Sequence, residues 1–128
     1  MNKSLRAKVY AKYDGRCAYT GKPLGDDWQM DHMESRYKAL CYDRESEVDN
    51  INNLMPALKI VNHYKREFSL EGFRGYMLNF HKRLAKLPKH TNLERTRNRI
   101  AYMRKVADAF DITVDKPFCG KFYFETLK

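Results

Sequence analysis

Apolar side chains recur at helical spacing in four stretches of this chain, and three shorter stretches read as strands, which together predict an α+β fold. Over 4–13, Leu5, Val9, Tyr10 and Tyr13 share a helix face, Ser4 is placed to cap it, and Asp14-Gly15 ends it. Gly and Pro then mark a turn-rich loop over 17–25. Large and polar residues alternate over 27–33, predicting a short strand. A polar loop follows over 34–50. The apolar run 54–58 predicts a second strand, kept at an edge or bulge by Pro56 because proline has no N–H to pair. Helical patterns resume over 59–67 and again from Ser69 to Pro88, where Leu70, Phe73, Met77, Phe80, Leu84 and Leu87 form one stripe, read as core rather than as a dimer seam. Thr91-Asn92-Leu93-Glu94 has the form of a capping box for a last long helix, with Leu93, Thr96, Ile100, Met103, Ala107 and Phe110 on one side. Residues 121–126 predict a terminal strand.

At 128 residues the chain has room for one domain. Its 43% hydrophobic and 32% charged residues fit a globular protein and argue against disorder. No apolar run approaches membrane-spanning length, and the N-terminal stretch lacks the apolar segment of a secretory signal. Three cysteines, odd in number and far apart, make a poor disulfide framework, so the expected compartment is a reducing cytoplasm. Charge is distributed unevenly. Residues 1–58 carry 9 basic and 9 acidic side chains, whereas 59–105 carry 13 and 3, so the net charge of +9 is concentrated in the central block. Concentrated positive charge points to a polyanionic partner, most often a nucleic acid.

Between Cys17 and Lys65 lie residues whose order is informative: Asp31-His32 at the end of a predicted strand, Asn53-Leu54 opening the next, and Asn62-His63-Tyr64-Lys65 within a helix. Each is weak alone; in this order on strand, strand and helix they are much more specific. The chain resembles the HNH endonucleases, whose ββα-metal fold binds one divalent cation between a hairpin and a helix. Residues 17–24 resemble the lead-in loop of HNH nucleases, including those inside RNA-guided effectors, while the run Asn62-His63-Tyr64-Lys65-Arg66 with 68–74 and the closing Phe122-Tyr123-Phe124-Glu125 are similar to stretches of small stand-alone bacterial and phage members. The resemblance divides the single domain into an N-terminal helix (1–15), an HNH core (16–74) and a basic helical extension with a terminal strand (75–128).

Phosphodiester hydrolysis needs an activated water and stabilisation of the charge that builds on phosphate and leaving oxygen. The resemblance implies His32 as general base, Asp31 and Asn62 as metal ligands, and Asn53 as the amide that ties the loop between the strands and orients His32. Two protein ligands suit Mg²⁺ or Mn²⁺, completed by water and substrate. Neighbouring strand residues face opposite ways, so the strand is expected to end at Asp31 with a bend. Lys65 and Arg66, and Arg95, Arg97 and Arg99 within the basic block, are the expected nucleic-acid contacts. His63 is a further phosphate contact, since residue i+1 of a helix points about 100° from residue i. Many relatives carry zinc between two C-x-x-C pairs. Here those positions read Cys17-x-x-Thr20 and Lys59-x-x-Asn62, so no structural zinc is expected. Cys17 reads as a small buried residue, with Tyr19, Trp28, Leu54 and the Phe-rich stripe replacing the staple.

The implied activity is metal-dependent cleavage of DNA, in the cytoplasm of a bacterium or of a phage-infected host, leaving 5′-phosphate and 3′-hydroxyl ends. A monomer would nick and a homodimer could break both strands; the sequence leaves the oligomeric state open. The alternative is a non-cleaving nucleic-acid-binding or regulatory protein, such as a phage inhibitor of a host enzyme, that retains the fold.

Overall fold

The computed structural model describes residues 3–34 and 50–127. The acidic loop residues Glu45, Glu47 and Asp49, and Cys41, lie outside the described residues. Helix α1 (Lys3–Ala11) buries Val9 against Trp28 and Leu54, a small core of its own. Arg6 lies over the Trp28 ring, 4.0 Å from its centroid, and donates to the Trp28 carbonyl at 2.9 Å. Strands β1 (Gln29–His32) and β2 (Leu54–Ala57) form an antiparallel pair in which His32 stands opposite Leu54 and Met30 opposite Pro56. Among the described residues the sheet has two strands, so Pro56 costs it no ladder bond to a third there; its carbonyl instead accepts from Ala18 N at 2.8 Å. Helix α2 (Lys59–Lys65) follows directly and packs on β1. Helices α3 (Leu70–Leu78), α4 (Phe80–Ala85) and α5 (Glu94–Phe110) complete a mixed α+β domain that has, among the described residues, five α-helices and one antiparallel strand pair. Among the described residues no helix is long and apolar enough to cross a membrane.

The main core lies between the lead-in loop, the helices and the C-terminal residues. Tyr19 meets Phe73 and Phe122 edge-on at 5.8 and 5.3 Å, and Phe73 stacks on Phe122 at 5.4 Å. Cys17, Phe73, Met77 and Phe80 are fully buried, so the stripe from Leu70 is core and Cys17 is a small apolar filler. Gly21 permits the close packing of this loop, because its φ is +76° and a Cβ there would fall 2.7 Å from the Tyr123 ring.

Four local expectations are corrected. The stripe spans two helices rather than one, interrupted at Asn79, whose side-chain amide donates back to the Gly75 carbonyl and competes with the helix ladder. The capping box of α5 is absent: the Thr91 hydroxyl accepts from Leu93 N instead, leaving Leu93 at the cap position and exposed. The buried face of α5 is therefore Met103, Val106, Ala107 and Ala109, towards its C-terminal end. The terminal strand is also absent. Residues Tyr123–Thr126 form a 3-10 turn, because the Glu125 carboxylate accepts from Phe122 N at 2.9 Å and the Glu125 N–H closes on the Phe122 carbonyl at 3.0 Å. This local ring overrides the β preference of the aromatic run. Finally, β1 runs one residue past the expected bend, through His32.

Candidate functional site

Strand β1 alternates as expected of a half-covered sheet: Asp31 is buried, while Met30 and His32 are partly open. The sheet is two-stranded and short, and such ribbons twist strongly. At its end, adjacent side chains can therefore border one opening. A cleft of about 470 Å³ forms there, lined by Asp31, His32, Asn62, His63, Arg66 and Tyr102, among others. Residues from β1, α2 and α5 thus converge although 71 positions separate Asp31 from Tyr102.

Asp31 is 3% exposed and Lys65 is 0% exposed. The Lys65 ammonium lies 3.1 Å from Asp31 Oδ2 and donates to the His32 carbonyl at 2.9 Å, and the Tyr19 hydroxyl donates to the same Asp31 oxygen. Burial raises the Asp31 carboxyl above its ordinary range, and the attraction of Lys65 only partly opposes this. Burial also raises Tyr19, helped by the neighbouring Asp31 charge. Lys65, expected at a DNA phosphate, is instead a buried counter-ion beneath the site.

Asn62 donates through Nδ2 to Gln29 Oε1 at 2.6 Å, which fixes the amide against the strand. Gln29 and Asp31 are two apart and face α2 together. Asn53 is not part of the cleft wall. Its Oδ1 accepts from Glu34 N at 2.8 Å, its Nδ2 donates to the Glu34 carbonyl at 3.2 Å, and its own carbonyl accepts from Met33 N. This double clasp holds the backbone that leaves His32. His63 and Arg66 are exposed at the cleft rim. Arg95, Arg97 and Arg99 are exposed on α5. Of these, Arg95 and Arg99 lie at i−7 and i−3 from Tyr102, on the helix face that reaches the cleft, whereas Arg97 is turned well away.

Sequence reasoning missed Tyr19, Gln29 and Tyr102. Gln29 had a local signal, two residues before Asp31 on one strand face. Lys65, three residues after Asn62, likewise shares its helix face, which foretold its proximity but not its burial. Tyr19 and Tyr102 reach the site through tertiary packing alone.

Among the described residues no group of three or more His, Cys, Asp or Glu side chains is placed to hold a metal ion. The cleft's oxygen donors include the Asp31 carboxylate and the Asn62 amide, and the exposed Glu67 adds a second carboxylate to its lining, a hard set that suits an ion retaining several waters, such as Mg²⁺ or Mn²⁺. Comparison with protein-family models, curated proteins and solved structures gave no match to this chain.

Proposed function

We propose that the protein is a metal-dependent endonuclease of the HNH type that hydrolyses phosphodiester bonds in DNA. The observation that carries this reading is the meeting of Asp31, His32 and Asn62 around one cleft, on strand and helix elements in the order the ββα-metal fold uses. His32 takes a proton from water on an imidazole nitrogen, the role histidine most often fills in general-base catalysis. Asn53 holds the turn behind it, so that the ring's orientation does not depend on a loose loop. Asp31 and Asn62 would hold Mg²⁺ or Mn²⁺, whose charge, when bound, offsets the negative charge developing on the phosphate and the leaving 3′ oxygen. Lys65 holds the Asp31 carboxylate in place and favours its ionised form against the opposing effect of burial. His63 and Arg66 at the rim would contact flanking phosphates.

A second reading, DNA binding without cleavage, is favoured by one feature: the Asp31 carboxylate already has an ammonium partner in Lys65. Supercoiled plasmid incubated with Mg²⁺ or Mn²⁺ decides between them. Wild type is expected to convert it to nicked or linear form, and His32→Ala to lose at least about a hundredfold in rate, the usual scale of general-base catalysis. Salt-dependent binding with no metal-dependent nicking would establish the second reading instead.

A further inference from the structure

Beside the cleft lies a second cavity of about 210 Å³, lined by Tyr64, Arg66, Phe68, Tyr76 and Tyr102. Arg66 and Tyr102 belong to both walls, so the two spaces adjoin. Four of its five lining residues are aromatic. Phe68 and Tyr76 are 40% and 37% exposed, a large area of ring left open to solvent. The rings brace one another: Tyr64 meets Tyr76 edge-on at 5.4 Å, and Phe68 lies 5.4 Å from Tyr76 at a shallow angle of 34°. Behind Tyr76 the Arg83 guanidinium sits 3.8 Å from the ring centroid, and it donates to the Tyr76 carbonyl at 2.8 Å. The platform is therefore set in place before any ligand arrives.

Arg66 adds a second observation. It follows α2 at φ 54°, ψ −132°, a backbone region that suits glycine and is costly for a side chain with a Cβ. An arginine held in this conformation stands where the cleft and the aromatic space meet. Burial pushes the Tyr64 hydroxyl up to about 12 and also raises Tyr102, so both rings stay uncharged at neutral pH and neither repels an anionic strand.

We infer that this aromatic pocket receives one unstacked nucleobase of the DNA strand whose phosphate occupies the adjoining cleft, so that the protein acts on single-stranded or flayed DNA in preference to continuous duplex. The inference rests on the nuclease reading for the place of the phosphate. Every base offers a π face, so such a platform tolerates many sequences while demanding that the base be out of its helix. Arg66 would bridge the two spaces, its guanidinium available both to a phosphate and to the edge of a stacked base.

The test compares two metal-free ligands of equal length and charge: an oligothymidylate of a dozen nucleotides and the same backbone with abasic residues throughout. Fluorescence anisotropy is expected to give wild type about a tenfold tighter Kd for the oligothymidylate, within the range of one base–aromatic stack. Phe68→Leu and Tyr76→Leu keep apolar volume in place of the ring and should bring the two affinities together, leaving the abasic affinity unchanged. Circular dichroism of each variant establishes that it is folded. Equal wild-type affinities, or a preference that survives in both folded variants, would overturn the inference, as would failure of wild type to bind either ligand. Plasmid nicking is scored separately, so loss of the nuclease reading would be seen as such, independently of the base preference.

Discussion

Asp31 and Lys65 hold opposite charges out of water at the floor of the cleft, and neither is stable there alone. Removing one partner from a buried pair leaves an uncompensated charge, typically at a cost of about 3 kcal/mol or more. Lys65→Met is accordingly expected to lower unfolding stability by about 3 kcal/mol, read from urea denaturation. The double variant Asp31→Asn with Lys65→Met should regain most of it, because neutral groups of similar volume need no ionic partner. If Lys65→Met costs no more than Lys59→Met at an exposed position of the same helix, the pair has no such role. The pH dependence has a definite sign. With its folded-state pKa raised by burial, Asp31 binds its proton more tightly in the folded protein. Its contribution to stability is thus full below the ordinary carboxylate range and is lost as pH rises through the raised value. Asp31→Asn should remove that segment of the stability–pH curve.

At the scale of elements, the C-terminal turn is fastened to α3 by one side chain. Arg74 donates to both Glu125 oxygens at 2.6 Å, to both Glu71 oxygens at 2.9 Å, and to the Gly120 carbonyl at 2.7 Å. The turn carries Phe122, which fills the core against Phe73, so the clasp supports packing beyond its own contacts. Hydrogen bonds from Arg74 hold the Glu125 carboxyl below its ordinary 4.5. A lowered folded-state pKa means stability that is present above the ordinary value and lost as pH falls through the depressed one. Glu125→Gln should cost about 1 kcal/mol at neutral pH, after allowance for its partial exposure. Its thermal midpoint should also fall less steeply than wild type on acidification below pH 4.5. Superimposable curves for the two proteins would show that Arg74 gains nothing from the carboxylate's charge.

The excess positive charge of the whole molecule lies in residues 59–105, which include α2 and most of α5, helices that border the cleft, and a polyanion bound there would release counterions. DNA affinity is expected to fall linearly with salt on a double-logarithmic plot. Arg95→Ala and Arg99→Ala, on the face of α5 shared with Tyr102, should each reduce the slope by about 0.9 if that residue neutralises one phosphate of a duplex. Arg97→Ala should leave it nearly unchanged, since Arg97 points elsewhere and donates to the Asn92 carbonyl at 3.2 Å. A common effect of all three would mean that charge, not the orientation of α5, governs the encounter.

Local pattern was enough to read the α+β class, the hairpin of 27–33 with 54–58, the helix carrying Asn62, and the core stripe through Phe73, Met77 and Phe80, because period and turn chemistry are written in neighbouring residues. It was not enough for the break at Asn79, the uncapped start of α5 or the C-terminal turn, where side-chain hydrogen bonds replaced the element that propensity favoured. The sequence by itself determined which chemical groups exist at the site and that strand and helix would carry them. Only the tertiary structure decided that Lys65 lies beneath Asp31 rather than on the surface, that Tyr19 caps the same carboxylate, and that Tyr102 closes the cleft from another helix. Burial and pairing depend on which distant segments pack together, and no local spacing encodes that.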